Sequence, residues 1–227
     1  MPSVLIVGAS RGIGLEFARQ YAADGWRVHA TCRDVAHPGK LGEIAGDVHL
    51  HELELRDLDQ ISDLGSAMDG VALDLVVHNA GIYGPRNVTL ANLDPTVWAE
   101  VMSVNAIAPL AVAQAVIDSV LAGGRKAMAF LSSGMGSIGE NTSGGSYIYR
   151  TSKAALNAGV RSLAIDYRRA GLTAVVLHPG WVRTDMGGPG ATLSPEESVT
   201  GMRRVIAGLG PGDSGRFFNH DGSYISW

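Results

Sequence analysis

The chain of 227 residues has one cysteine, few aromatic side chains (6%) and no block of like charge. The lone Cys32 excludes a disulfide framework and a zinc site built from several cysteines. Lysine and arginine number 18 against 22 acidic residues, a net charge of −4, which argues against a nucleic-acid partner. Because one free thiol suits a reducing compartment, we expect a cytoplasmic protein.

Long apolar runs are also lacking. The longest stretch without charge, residues 101–117, is 17 residues long and is interrupted by polar residues and proline. A membrane-spanning helix needs about 20 mostly apolar residues. No cationic region precedes the short apolar run Val4–Val7, so no export signal is expected. We therefore expect a soluble protein with no membrane partner.

Glycine is abundant, with 30 residues, and short β-branched runs alternate with longer amphipathic stretches. This alternation predicts right-handed βαβ units, and hence one doubly wound parallel α/β sheet of the Rossmann type with helices on both faces. No linker or repeat is visible, so residues 1–227 are predicted to form a single domain that also contains the active site. Strands are predicted at residues 4–7, 28–31, 48–55, 73–77, 127–131, 173–177 and 216–218, about seven in all, and helices at 12–24, 57–68, 95–120 and 149–170. The segment Gly187–Pro195 is predicted to be a mobile loop.

Glycines cluster where the first strand meets the first helix, in the segment Gly8-Ala9-Ser10-Arg11-Gly12-Ile13-Gly14. Glycine permits a sharp turn there and lets a pyrophosphate approach the N–H groups of the helix N-terminus. The spacing alone is weakly specific, and the alternative is a turn that only packs the helix on the strand. The position between a strand and a helix favours a dinucleotide site.

Tyr149 and Lys153 lie four residues apart on one face of a predicted helix. A phenol with an ordinary pKa of ~10 is a poor acid at neutral pH unless a nearby cation stabilises its phenolate. The alternative is a solvated pair on a helix surface. Because the chain has only three lysines, the pair is rarely expected by chance, and it favours acid–base chemistry.

Taken in order, the motifs of this chain resemble those of the classical short-chain dehydrogenases/reductases. Residues 132–157 and 217–222 further resemble the branch of C-factor-like and sniffer-like carbonyl reductases. The resemblance covers essentially the whole chain. Its motifs are the glycine segment, His78-Asn79-Ala80-Gly81, Asn105, Ser132-Ser133, the Tyr149/Lys153 pair and Pro179-Gly180-Trp181-Val182-Arg183-Thr184.

The resemblance implies four catalytic residues: Asn105, Ser133, Tyr149 and Lys153. Tyr149 would protonate a carbonyl oxygen as hydride arrives, while Lys153 lowers the pKa of the phenol and holds the nicotinamide ribose. Ser133 would hydrogen-bond the carbonyl, and Asn105 would position a water linking Lys153 to solvent. Ser133 is preferred because a glycine follows it three residues later, and Ser132 is the alternative.

Two features depart from the family's usual pattern. Ser133 stands 16 residues before Tyr149, where the family spacing is commonly about 13, so residues 139–146 carry about three extra residues. His78 replaces the usual asparagine, so we expect altered packing on the adenine side, with the backbone role of the motif retained.

NADP(H) is the expected cofactor. In NAD-binding proteins an acidic residue about 20 residues after the glycines hydrogen-bonds the ribose 2′-hydroxyl, whereas in NADP-binding proteins a nearby arginine accommodates the 2′-phosphate. Cys32 occupies that position, Arg33 follows it, and Arg11 lies in the glycine segment; Asp34 is the counter-evidence. By the resemblance, Glu54 stands where the family commonly has an aspartate that contacts the adenine amino group. The expected cofactor-binding residues are Gly8, Ser10, Arg11, Gly12, Ile13, Gly14, Arg33, Glu54, Leu55, Asn79, Ala80, Gly81, Tyr149, Lys153, Pro179, Gly180, Val182 and Thr184.

No metal is expected. His49 and His51 share one face of a predicted strand, but no third ligand lies near them in the sequence. Cys32 is predicted to be a packed side chain rather than a reactive thiol, and Trp181 to form a wall of the substrate pocket.

These expectations describe an NADPH-dependent reductase of small aldehydes or ketones, with a short lid (residues 186–198), an open pocket and broad specificity. The alternative is an NADP-binding sensing or signalling protein with little turnover, although cofactor binding alone needs neither Ser133 nor Asn105. Sugar-nucleotide epimerisation is discounted because it needs a larger substrate domain. Alanine-rich faces on the predicted helices 95–120 and 149–170 would permit close packing, and the resemblance implies a homodimer through these two helices, with a tetramer as the alternative.

Overall fold

The computed structural model describes residues 1–227, in which seven strands form one parallel sheet. The strands are β1 Ser3–Val7, β2 Arg27–Cys32, β3 Val48–Glu52, β4 Leu75–His78, β5 Ala127–Leu131, β6 Thr173–His178 and β7 Phe217–Asn219. The helices are α1 Gly12–Ala23, α2 Leu58–Ala67, α3 Pro95–Met102, α4 Ala108–Ala122, α5 Tyr147–Asp166 and α6 Pro195–Gly208. The strand order β3-β2-β1-β4-β5-β6-β7 confirms the predicted doubly wound sheet.

Both faces of the sheet are covered, which explains why its central strands are apolar at consecutive positions. In β1, Leu5 and Val7 belong to a core cluster that includes Val112 of α4. Ile6 faces the opposite way and belongs to a second cluster with Phe17 of α1. Two cores of similar size, 24 and 22 buried residues, therefore hold the helices on either side.

The predicted helix 95–120 consists of α3, one π-helical turn over Ser103–Ile107, and α4. By length and composition the run Pro95–Ala122 could cross a membrane, but half of its most apolar 18-residue window is buried inside the fold. Side chains such as Val116 pack in the core against the sheet. The apolar composition of this run is thus used in tertiary packing.

Several predicted boundaries were wrong, and one helix was missed. Strand β3 ends at Glu52 rather than Leu55, because only Leu53 continues its pairing, through an N–H bond to the Cys32 carbonyl, before the chain turns. Helix α5 begins two residues early, at Tyr147. Helix α6 was not predicted, and it takes up the end of the expected lid.

The start of α6 carries a signal that sequence reasoning overlooked. Ser194 accepts a hydrogen bond from the Glu197 N–H, and the Glu197 carboxylate accepts one from the Ser194 N–H. This reciprocal capping box, with Pro195 as the first helical residue, is a standard helix start. The preceding loop is tied down at its end, since the Leu193 N–H donates to the Trp181 carbonyl at 3.0 Å.

Candidate active site

The predicted catalytic residues converge at the carboxyl edge of the sheet. Ser133 follows β5, Tyr149 and Lys153 lie in the first turns of α5, and Asn105 lies in the π-helical turn. The strand order reverses beside β1 and β4, where the glycine segment and Asn79 meet. Open α/β sheets bind ligands at this kind of crevice.

Lys153 is buried, with 4% of its surface exposed. Its Nζ donates a hydrogen bond to the Leu131 carbonyl at 3.0 Å, and burial lowers the pKa of the ammonium to about 8. Gly81 packs against it: a Cβ on Gly81 would lie 3.3 Å from Nζ and 3.1 Å from Oδ1 of Asn105. The glycine of the Asn-Ala-Gly motif therefore makes room for Lys153, the predicted catalytic lysine.

Burial raises the pKa of Tyr149 to about 12, while interaction with the Ser133 side chain lowers it and Tyr83 raises it. The Tyr83 ring stacks on the Tyr149 ring at 4.4 Å between centroids. This differs from the expectation that Lys153 depresses the pKa, since the Lys153 Nζ lies 5.9 Å from the ring centroid and is bonded elsewhere. The phenol is therefore protonated at neutral pH, the form that a proton donor needs.

Asn105 is fully buried in the π-helical turn. Its Nδ2 donates to the Ile82 carbonyl at 2.7 Å and to Ser152 Oγ at 3.0 Å, and its Oδ1 accepts from the Ile82 N–H at 2.8 Å. Both amide N–H groups are thus used to tie the loop after β4 to α5. Irregular π-helical turns often mark functional positions in helices.

The two neighbouring serines have different surroundings. Ser132 is buried, and its hydroxyl has no hydrogen-bond partner. Ser133 is half-buried, and its Oγ accepts from the Met135 N–H at 3.2 Å, which leaves the hydroxyl proton free to donate. The Ser133 side chain also lies near enough to the phenol to lower the pKa of Tyr149. These contacts favour Ser133 over Ser132.

The glycine segment fits a dinucleotide. Gly8 has a φ of +82°, and a Cβ there would lie 2.7 Å from the Cβ of Ala80. Asn79 Nδ2 donates to the Gly8 carbonyl at 2.7 Å, which fixes the turn. Helix α1 begins after Arg11 without any capping side chain, so its first N–H groups are available to a phosphate. Two further residues that were predicted to bind the cofactor, Ser10 and Ile13, belong to the same glycine segment.

Arg33 is exposed and forms no ion pair in the described chain. Asp34, the counter-evidence to NADP, accepts hydrogen bonds from the N–H groups of Ala36 and His37 and from the His37 ring. Its carboxylate is thus turned away from Arg33. Arg11 lies 3.4 Å from Asp185 at the surface, a weak pair that a phosphate could displace.

Glu54 lies at the predicted place after β3, beside the buried Leu55. Its carboxylate accepts from the N–H of Arg56 at 3.2 Å, and its own N–H donates to Gln60. His78, which replaces the family's usual asparagine, is buried, and its ring stacks on Phe130 of β5.

The predicted nicotinamide segment turns back toward the glycine segment. The Pro179 carbonyl accepts from Ser198 Oγ at 2.6 Å, and Gly180 has a φ of +80° with Leu193 packed against it. Val182 is buried, and Thr184 approaches Gly12, whose added Cβ would lie 3.2 Å from the Thr184 methyl group. The two ends of a dinucleotide could therefore be held across one crevice.

The structure adds a third imidazole to His49 and His51. His29 of β2 stacks on His49, and its Nδ1 lies 3.1 Å from Nε2 of His51. No group of three such side chains in the described chain is arranged to hold a metal. Burial raises the pKa of Cys32, in keeping with a packed thiol. Trp181 is 55% exposed beside the crevice.

Sequence reasoning missed Tyr83 and Arg150. Tyr83 covers Tyr149 from the loop after β4, and Arg150 donates to three acceptors in the loop after Ser133. Nothing in their spacing marked them, because Tyr83 and Tyr149 lie far apart along the chain and the contacts of Arg150 depend on the conformation of the loop that precedes it.

The fold and the site together define a dinucleotide-dependent enzyme with a tyrosine–lysine pair. The family model for the short chain dehydrogenase matches residues 2–192, and the chain belongs to this family. The C-signal protein of Myxococcus xanthus is 46% identical over 155 residues, which cover 68% of this chain and 93% of that protein. The 1-hydroxy-2-glutathionyl-2-methyl-3-butene dehydrogenase of Rhodococcus sp. strain AD45 is 34% identical over 235 residues and matches over the whole of both chains.

Solved structures agree with this family. The carbonyl reductase Sniffer of D. melanogaster superposes with a TM-score of 0.94 at 32% identity, covering 100% of both chains. The NADPH-bound carbonyl reductase from chicken fatty liver superposes with a TM-score of 0.89 at 35% identity, covering 100% of this chain and 99% of that one. The predicted branch of the family is thereby confirmed, and the chain is an oxidoreductase by family.

Proposed function

We propose that this protein reduces small aldehydes or ketones to alcohols with NADPH. The observation that carries the proposal is the meeting of a protonated, buried Tyr149 with Ser133 and Lys153 beside a glycine-lined crevice. A site that only binds a dinucleotide has no use for a proton donor.

The proposed mechanism assigns one task to each side chain. NADPH, when bound, supplies a hydride to the carbonyl carbon. Ser133 donates a hydrogen bond to the carbonyl oxygen, and Tyr149 passes its phenolic proton to that oxygen. Lys153 keeps a positive charge near the phenolate that results and offers its remaining N–H groups to the ribose. Asn105 holds the loop that borders Lys153.

Support for NADP rather than NAD comes from the arginines and the acid near the end of β2. Arg33 is exposed without an ion pair, and Asp34 is engaged by His37. Neighbouring structures point the same way, since a carbonyl reductase from Pseudomonas aeruginosa PAO1 at 32% identity was solved in complex with NADP.

The deciding experiment follows NADPH absorbance with a panel of aldehydes, α-diketones and quinones. Tyr149→Phe should lower turnover by about 10²- to 10⁴-fold through loss of the proton donor, with NADPH binding retained. Tyr147→Phe is the matched control, because Tyr147 lies two residues earlier in the same helix and is 37% exposed. Equal turnover in Tyr149→Phe and the parent protein would contradict the proposal.

A sensing role is the second candidate, and the 46% identity to the C-signal protein favours keeping it. It predicts tight NADPH binding, measured by fluorescence titration, with no oxidation of NADPH by any carbonyl in the panel. Turnover that Tyr149→Phe abolishes would exclude it as the main function.

A further inference from the structure

The serine loop, residues 133–146, joins the proposed catalytic Ser133 to helix α5. Near its end the backbone is left-handed at three consecutive residues, Gly144, Gly145 and Ser146, with φ values of 62°, 65° and 46°. Such backbone is unfavourable for a serine and needs support from its surroundings. The loop is also mostly exposed, so few apolar contacts hold it.

Arg150, the residue after Tyr149, provides polar contacts at both ends of this loop. Its Nη1 donates to the Met135 carbonyl at 3.3 Å, its Nε donates to the Gly144 carbonyl at 3.2 Å, and its Nη2 donates to Ser143 Oγ at 2.8 Å. Arg150 forms no ion pair in the described chain. The planar guanidinium is thus used as a fork for hydrogen bonds, a geometry that lysine cannot reproduce.

The contact with Met135 leads directly to the catalytic serine. Ser133 Oγ accepts from the Met135 N–H at 3.2 Å, so the position of Met135 sets the orientation of the hydroxyl. The next residue, Gly136, packs so closely on α5 that an added Cβ would lie 2.9 Å from the Cβ of Lys153. Because the turn packs directly on α5, any larger displacement of the turn would move Ser133 relative to Tyr149.

We propose that Arg150 is a positioning residue that holds the Ser133 hydroxyl against Tyr149 by tying the serine loop to α5. This inference rests on the proposed reductase activity. Arg150 acts through Ser133 and does not itself touch the reacting atoms. Its neighbourhood also includes a cavity of about 470 Å³ lined by Met135, Arg150 and His178, so loosening the loop would alter the space next to the site.

The test is a kinetic double-mutant cycle with Arg150→Gln, Ser133→Ala and the double variant. Arg150→Gln should lower kcat about tenfold, the equivalent of one hydrogen bond, with the Kd for NADPH within about twofold of the parent. In the Ser133→Ala background the same change should lower kcat less than about twofold, because the group it positions is gone. If Arg150→Gln lowered kcat by the same factor with and without the Ser133 hydroxyl, the inference would be overturned.

Two further variants separate positioning from charge and from folding. Arg150→Lys keeps the charge but loses the fork, and it should resemble Arg150→Gln; full activity in Arg150→Lys would overturn the inference. Arg161→Gln is the matched control, since Arg161 on the same helix donates to the Gly215 carbonyl away from the site and should leave kcat unchanged.

Amide hydrogen exchange distinguishes failure of the inference from failure of the proposed activity. If the parent protein turns over no carbonyl compound, the reductase proposal fails, and the loop is then examined directly. Arg150→Gln should speed exchange in residues 134–146 relative to the parent and to Arg161→Gln. Unchanged exchange in this segment would overturn the role of Arg150 whatever the activity.

Discussion

At the scale of single residues, burial sets the protonation of the proposed catalytic pair. The low-dielectric surroundings disfavour the charged form of each group, so the pKa of Lys153 falls to about 8 and that of Tyr149 rises to about 12. At neutral pH the lysine is still charged and the phenol is neutral. The phenol therefore carries the proton that reduction needs, but its raised pKa makes it a weaker acid than free tyrosine until a nearby positive charge stabilises the phenolate.

The buried lysine predicts a dependence of stability on pH. Between pH 8 and 10 the unfolded chain holds a proton on Lys153 that the folded chain has lost, so the free energy of unfolding should rise with pH. Above pH 10 the folded chain keeps a proton on Tyr149 that the unfolded chain has lost, so this group lowers the free energy of unfolding as the pH rises. Urea unfolding at several pH values should show the rise in the parent and in the exposed control Lys40→Met, and its loss in Lys153→Met. A rise that persists in Lys153→Met would assign it to other groups.

Arg33 carries the prediction about cofactor choice. Arg33→Ala should weaken NADPH binding about tenfold or more and leave NADH binding nearly unchanged, because a charge-assisted hydrogen bond to the 2′-phosphate is worth roughly 1.5–3 kcal/mol. The measurement is a pair of fluorescence titrations, with Arg168→Ala as control, because Arg168 lies before the start of β6, at the opposite edge of the sheet. An unchanged ratio of the two Kd values would remove Arg33 from the site.

At the scale of elements, the π-helical turn between α3 and α4 is the join that shapes the site. It places Asn105 so that both ends of its amide reach the backbone of Ile82. The Asn105 amide thus makes the same pair of hydrogen bonds with Ile82 that a residue of a neighbouring β-strand would make. The loop that carries Gly81 and Tyr83 is thereby fixed to the helix layer, next to Lys153.

Loss of this join should destabilise the fold. Asn105→Ala leaves the N–H and the carbonyl of Ile82 without their partner, at a cost of about 1–3 kcal/mol in the free energy of unfolding. Urea unfolding measures it, with Asn141→Ala as a control because that exposed side chain accepts one hydrogen bond, from the Gly144 N–H. If Asn105→Ala lowered the free energy of unfolding no more than Asn141→Ala does, water would be replacing the amide of Asn105.

At the scale of the whole molecule, we propose a homodimer through α4 and α5. Ile107, at the end of the π-helical turn that leads into α4, is 60% exposed, and Ile165 of α5 is 53% exposed. The two helices also lie close together, since a Cβ on Gly159 would lie 2.5 Å from Leu110. Their outer surface can therefore pack against a second copy as a four-helix arrangement.

Sedimentation velocity at about 10 µM should show a dimer for the parent protein. Ile107→Glu should shift it toward the monomer, because a carboxylate would be desolvated in the contact. Leu58→Glu, on α2, is the control, since Leu58 is 68% exposed and lies outside the proposed interface. A monomeric parent protein would contradict this assembly.

The amino-acid sequence by itself determined the sheet type, the place of the glycine turn and the pairing of Tyr149 with Lys153. Each of these depends on residues close together in the chain, where strand and helix periods and glycine conformations operate. The order of the motifs then identified the family. The missed helix α6 belongs here too, because its capping box at Ser194 is a local signal.

Only the tertiary structure decided the surroundings of these residues. The stacking of Tyr83 on Tyr149 and the hydrogen bonds of the Asn105 amide to Ile82 were not predictable from spacing. The motif likewise did not specify the direction in which burial shifts the pKa values of Tyr149 and Lys153. The physical reason is that desolvation and hydrogen bonding depend on which atoms from distant segments meet, and a sequence pattern specifies only neighbours along the chain.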